Sequence, residues 1–280
     1  KPGEGGCKFD FSACFVDKPC VDPETDKDYC VIKFKDGNLE KAVKEQMGLK
    51  LDETITFGKA KKVVFLDGQG KGIFNLKRME YFTGLNYLHL ESNQISDVSA
   101  LKSLTNLNEL TLSYNQISDI SALSGLTNLK VLRLPENQIS DISALKGLTK
   151  LKTLGLSYNQ ISDISALNGL TNLEWLSLLS NQLSDVSGLN GLTNLKVLYL
   201  NSNKISDVSG LYGLPNLDHL DLSSNNLKDV MILQTFQNLN FLSLQGNPQL
   251  EYDYYQNGCV KKGSFMYNMD KIKEFLAKCT

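Results

Sequence analysis

Leu85-Asn-Tyr-Leu-His-Leu-Glu-Ser-Asn93 returns as Leu107-Asn-Glu-Leu-Thr-Leu-Ser-Tyr-Asn115, and the spelling recurs every 22 residues as far as Leu239-Asn-Phe-Leu-Ser-Leu-Gln-Gly-Asn247. Eight units in one register make the chain a solenoid. A unit this short cannot bury its own apolar face and must stack its leucines on those of its neighbours. The positions that are not leucine then form the variable surface, and function is to be sought there.

Strand alternation within this unit turns Leu88 and Leu90 inward and Tyr87, His89 and Glu91 to the opposite face. Asn93, Asn115, Asn137, Asn159, Asn181, Asn203, Asn225 and Asn247 recur where the chain leaves each strand. A carboxamide there can pair backbone groups that the turn would otherwise bury unsatisfied, so this column is structural. The following Ile95-Ser-Asp-Val-Ser-Ala-Leu101 suits a short 3₁₀ or helical turn on the outer side. Ser96 or Asp97 would be its N-cap, with Val98, Leu101 and Leu104 turned inward. Asp97, Asp119, Asp141, Asp163, Asp185, Asp207 and Asp229 form a second column.

Upstream, Asn38 to Met47 places Leu39, Ala42, Val43 and Met47 on one helical face, with Gly48 as a stop. This amphipathic helix is the expected lid for the first unit. Thr54-Ile-Thr-Phe57 and Lys62-Val-Val-Phe-Leu66 read as two short strands. Counting back one period places Val63, Leu66, Ile73, Leu76, Met79 and Phe82 at repeat-equivalent positions. A degenerate unit is therefore expected from about Val63, with Lys71 where the asparagine would stand.

The six cysteines lie outside the array, at Cys7, Cys14, Cys20, Cys30, Cys259 and Cys279. An even number confined to the two ends reads as cross-linked caps formed in an oxidising compartment, which implies secretion. The first four allow three connectivities, and chain proximity weakly favours Cys7 with Cys14 and Cys20 with Cys30. Their gaps of six, five and nine residues argue against zinc. Lys1-Pro-Gly-Glu-Gly-Gly6 resembles no signal peptide and is expected to begin a trimmed mature chain, and no apolar run is long enough to span a bilayer. With 29 basic against 31 acidic residues there is no basic excess, and nucleic acid is not an expected partner. No Asn-x-Ser/Thr acceptor occurs, which favours a bacterial over a vertebrate extracellular origin.

The 22-residue unit resembles that of the bacterial internalin family of leucine-rich repeat proteins. The resemblance rests also on Ile-Ser-Asp-Ile-Ser-Ala-Leu at 117–123 and 139–145, Leu-Thr-Asn-Leu at 104–107 and 126–129, and the entry helix within Phe34-Lys-Asp-Gly-Asn-Leu-Glu-Lys-Ala-Val43. It covers residues 34–250. It implies an α/β fold: a right-handed solenoid with a concave parallel sheet, 3₁₀ or helical turns on the convex side and helical caps at both ends. It further implies a secreted or surface-displayed bacterial protein that binds a host protein through that sheet. Met269 to Lys278 reads as a closing helix stapled by Cys259 to Cys279, similar to the C-terminal flanks of other extracellular leucine-rich repeat proteins. The expected divisions are a Cys-rich segment (1–33), an N-terminal cap (34–62), the array (63–250) and a disulfide-bearing cap (251–280).

Solvent-facing strand positions at equal register touch across about 4.8 Å, so the columns are a surface map. Trp175, Leu179, Val197 and Tyr199 are expected to cluster around the chain's only tryptophan. Because Trp, Tyr and Arg dominate binding hot spots, this apolar patch is the expected centre of a protein-binding face. Tyr87, His89, Val131, Arg133, His219 and Phe241 complete the candidate set, with Tyr114 and Tyr158 along one rim and Glu136 as a further polar contact. The chain is expected to act as a monomer on an extracellular protein. A self-associating structural component and a carbohydrate-binding module are the competing readings.

Catalysis is not expected. His89 and His219 lie six units apart, roughly 29 Å at 4.8 Å per strand, too far to share a metal or a triad. Gly68-Gln-Gly-Lys-Gly72 lacks the glycine spacing and following helix of a phosphate loop. One carboxylate per unit falls short of the oxygens calcium prefers, so the aspartates are assigned to capping. Neither cofactor nor metal is expected.

Overall fold

A computed structural model describes residues 31–236, 238–248, 250, 266 and 267. All six cysteines, the pairings expected of them and the expected closing helix lie outside these residues.

The repeated strand spelling forms only three residues of β-structure per unit. In chain order these are β1 (Phe65–Asp67), β2 (Tyr87–His89), β3 (Glu109–Thr111), β4 (Val131–Arg133), β5 (Thr153–Gly155), β6 (Trp175–Ser177), β7 (Val197–Tyr199), β8 (His219–Asp221) and β9 (Phe241–Ser243). Each pairs in parallel with the next, and β10 (Met266–Tyr267) joins β9 antiparallel. Every parallel partner lies one period on, as Leu88 with Leu110 and Leu110 with Leu132, so equal positions form straight columns. On the inner side Leu129, Leu132, Leu134, Ile139, Ile142, Leu145 and Leu148 of one unit are all buried and belong to one continuous core. Each such side chain contributes about 2 kcal/mol of transfer free energy. Strands of this length could not persist without that stacking.

Between strands the chain makes 3₁₀ turns, among them Ser99–Leu101, Ser143–Leu145 and Ser165–Leu167. The N-cap of the first of these turns is Val98, neither Ser96 nor Asp97; Asp97 stands one residue earlier and holds the entry to the turn, its Oδ1 accepting the Ser99 amide at 2.8 Å. Asp119, Asp141, Asp163, Asp185 and Asp207 repeat this bond. The strand-exit asparagines stitch neighbouring units together. Asn159 Oδ1 accepts the Ile139 amide at 2.9 Å, while its Nδ2 donates to the Leu134 carbonyl one unit back and to the Leu156 carbonyl of its own unit.

At the N-terminal end α1 (Gly37–Gln46) buries Leu39, Ala42 and Val43, and its C-cap Met47 is half-buried against the same core. Asp36 joins this helix to the array. Its Oδ1 accepts the Asn38 and Leu39 amides, and its Oδ2 accepts those of Phe74 and Asn75. Val63, Leu66, Ile73, Leu76, Met79 and Phe82 are buried in line with the regular units. Gly68 stands where they carry leucine, and a β-carbon there would come within 2.9 Å of Ile73 Cδ1 and Leu90 Cδ2, which fill the space. Lys71, in the asparagine position, instead pairs with Glu45 of α1 at 2.9 Å.

One strand expectation fails. Thr54 to Phe57 gives a single antiparallel bridge, Val31 with Thr56, and the chain turns at once into the short α2 (Phe57–Ala60). The Thr56 hydroxyl accepts the Lys59 amide and so caps that helix, ending the extended run after one paired residue. The second expected strand, at 62–66, is shifted C-terminally to β1.

Candidate functional site

The concave face carries the candidate residues in the register the sequence implies, but its texture is uneven. Tyr87 is 44% exposed, Arg133 is exposed, and Val131, Trp175, Leu179, Val197, Tyr199, His219 and Phe241 are half-buried. Trp175 and Tyr199 lie outside the buried core. Smaller side chains on this face are shielded by their neighbours: Thr111, Ser113, Ser157, Ser177, Ser223 and Ser243 are all buried. The face is therefore not uniformly bare, and the bulky residues stand proud of a floor of hydroxyls.

Four of the bulky residues form a continuous row across β6 to β9. Trp175 and Tyr199 rings meet at 5.9 Å, Tyr199 and His219 at 5.2 Å, and His219 stacks flat on Phe241 at 3.9 Å and 4°. The indole leans over Gly155, its Cζ3 standing 3.7 Å from where a β-carbon would be. The column map had grouped Trp175 and Tyr199 with Val197 and Leu179. Val197 is Trp175's register partner, and Leu179 stands just beyond β6, but the ring contacts extend to His219 and Phe241. Burial holds the His219 imidazole below its ordinary pKa, against the opposing pull of Asp218 and Asp221. The row thus presents an apolar, largely uncharged ridge.

The N-terminal end of the face has a different character. The Phe65 and His89 rings meet at right angles, 5.4 Å apart, and Glu109 Oε1 lies 3.6 Å from His89 Nε2 and 2.9 Å from Arg133 Nη1. Glu109, absent from the candidate set, thus stands between His89 and Arg133, hydrogen-bonded to Arg133 and approaching His89 without bonding it. Their diagonal placement on adjacent strands was the signal available. Val131 lies between this group and the ridge, paired with Glu109 on one side and Thr153 on the other.

On one rim Tyr114 and Tyr158 are exposed, with left-handed backbone at φ 56° and 55°. Glu136 occupies the same position of the unit between them, at φ 55°. The convex aspartates are committed to their turns. Hydrogen bonds from the Ser121, Ser165 and Ser187 amides hold Asp119, Asp163 and Asp185 below the ordinary carboxylate range, and the Ser99 hydroxyl and amide do the same for Asp97. Among the described residues no group of three or more His, Cys, Asp and Glu side chains could hold a metal ion, and no helix is long and apolar enough to cross a membrane.

The family described as leucine-rich repeats in two copies matches residues 83–125, 127–169 and 171–213, and the single leucine-rich repeat matches 216–239. Internalin C2 from Listeria monocytogenes is 38% identical over 76% of this chain and 94% of its own, with a TM-score of 0.73. The chain belongs to the internalin-like leucine-rich repeat family. A second Listeria monocytogenes internalin, InlF, is 30% identical over 76% of each chain, with a TM-score of 0.50. The leucine-rich repeat ectodomain of an Arabidopsis thaliana membrane receptor kinase, solved in complex with Casparian strip integrity factor 2, is 27% identical over 61% of this internalin-like chain and 22% of its own, with a TM-score of 0.56. No match was found among curated proteins. Leucine-rich repeat proteins are in general protein-interaction modules, and the fold of this chain is consistent with that class.

Proposed function

We propose that this internalin-like chain is a non-catalytic protein-binding module, secreted or displayed on a bacterial surface, that docks an extracellular protein of the host as an adhesin or receptor ligand. The observation that carries this reading is the ridge Trp175–Tyr199–His219–Phe241, four rings in contact on a sheet face that no described element covers. Large rings held by their neighbours lose little conformational freedom on binding and offer much apolar area, which is why such residues anchor protein interfaces. The ridge spans roughly 14 Å at 4.8 Å per strand, an extent suited to a protein surface. Tyr87, His89, Val131, Arg133, Leu179 and Val197 form the remainder of the docking face, engaged by a single copy of the chain.

The test is capture of host surface proteins by the intact chain and by a Trp175→Ala, Tyr199→Ala double variant. Capture is expected to be lost while the melting profile stays nearly unchanged, because neither side chain belongs to the core. Undiminished capture by the double variant would refute the assignment.

A further inference from the structure

Polar atoms shielded from water normally have a hydrogen-bond partner, and a cluster of unpartnered ones points to a ligand. Four side-chain atoms among the described residues break this rule, and three of them, His89 Nε2, Glu91 Oε2 and Thr111 Oγ1, belong to adjoining positions at the β2–β3 end of the concave face. His89 and Thr111 are register partners on β2 and β3, and Glu91 comes two residues after His89, the spacing that returns a side chain to the same face. Thr111 is only 2% exposed, lying in register between His89 and Arg133. Glu109 Oε1 stands 3.6 Å from His89 Nε2, beyond hydrogen-bond reach, and already accepts Arg133 Nη1 at 2.9 Å.

The charges around this corner are unbalanced. Among the described residues Asp67, Glu91 and Glu109 supply three carboxylates, and Arg133 is the one guanidinium beside them. The carboxylates are acceptors only, and Asp67 already takes the Gln69 amide on one oxygen. Among the described residues the corner lacks a second cationic donor. Beside it Phe65 is 38% and Tyr87 44% exposed, register partners whose ring faces attract a cation.

Resting on the protein-binding reading above, we infer that this corner of the concave face seats a basic side chain of the partner, an arginine in its best-fitting form. The planar guanidinium offers several donors in one plane, which matches acceptors spread over two adjacent strands. Glu91 supplies the charge-assisted bond, Thr111 the neutral one, and His89 Nε2 turns toward the same group. The aromatic ridge provides apolar area, and this second seat, about four strands away, adds the polar selectivity that a ridge of rings lacks.

The experiment uses the full chain and acetyl-arginine methylamide as probe, followed by amide chemical shifts, with the neutral near-isostere acetyl-citrulline methylamide as control. Saturable shifts at residues 89, 91 and 111 are expected with arginine and not with citrulline. Glu91→Gln keeps shape and removes charge, and should weaken the arginine isotherm about tenfold, as loss of a charge-assisted bond implies. Thr111→Val, nearly isosteric at a buried position, should weaken it by a smaller factor. Trp175→Ala with Tyr199→Ala should leave it unchanged. Absence of saturation, equal response to citrulline, or an isotherm indifferent to Glu91→Gln would overturn the inference. Should that happen while partner capture still depends on Trp175 and Tyr199, the protein-binding reading stands and only the arginine seat falls.

Discussion

Asn159 shows at a single position why so short a unit can be stable. Its carboxamide satisfies an amide and two carbonyls belonging to two units, groups that the turn hides from water. That role was legible, because an asparagine at an invariant place after each strand has no cheaper explanation. A second ladder was not read, although its spelling was present. The asparagine of each Leu-Thr-Asn-Leu linker donates to the carbonyl of the preceding unit, as Asn106 to Thr83 and Asn128 to Thr105. Where Lys150 replaces it, the lysine reaches back to Asn128 Oδ1. Which units such a side chain joins depends on coil spacing, and periodicity alone does not give that.

Glu174 makes a prediction at the same scale. Hydrogen bonds and charge from Lys196 and Lys152 in the flanking units, at 2.8 and 3.0 Å, hold its carboxyl down from an ordinary 4.5 to about 2. A depressed folded-state pKa means stabilisation that is complete above about 4.5 and lost as pH falls through about 2. Comparing urea midpoints of the native chain and Glu174→Gln, the gap should narrow across that window and shrink with added salt, since the pair is solvent-accessible. A gap constant in pH would show that the two lysines do not stabilise the carboxylate.

At the scale of the element, α1 was readable from its apolar spacing and from Asp36 before it, but the second task of Asp36 was not. One carboxylate caps the helix and also binds two amides of the first unit, so the lid is held by a shared acceptor as well as by Leu39 and Val43. Asp36→Ala removes the cap and leaves four amides to find other acceptors. It should cost about 3 kcal/mol in chemical denaturation, from cap loss together with desolvated donors. A change near zero would mean that apolar packing alone seats the lid. The misread strand at Thr54 to Phe57 belongs here too. Alternating Thr and Ile favour extension locally, yet the Thr56 hydroxyl serves equally well as a helix cap, and among the described residues Val31 is its one bridge partner.

Across the whole molecule, the period gave the parallel order of the sheet, the buried columns and the list of residues on its concave side. It could not give their contacts. Rings at equal or diagonal positions meet or miss according to side-chain direction, so the ridge extends through His219 to Phe241, and Glu109 bonds Arg133 while standing 3.6 Å from His89. Small residues such as Thr111 and Ser177 sink below their neighbours, which sorts one flat map into a ridge and a polar corner. Stacked units with one repeated geometry leave the concave side as the place where the sequence varies most in size and charge, and docking there is the central claim.

The most direct measurement places a photoreactive side chain at Thr153, the register partner of Trp175, and in a second protein at Asp163 on the convex turns. Illumination with the captured partner should cross-link it through position 153 and not through 163. Cross-linking through 163 alone, or equally through both, would contradict docking on the concave face.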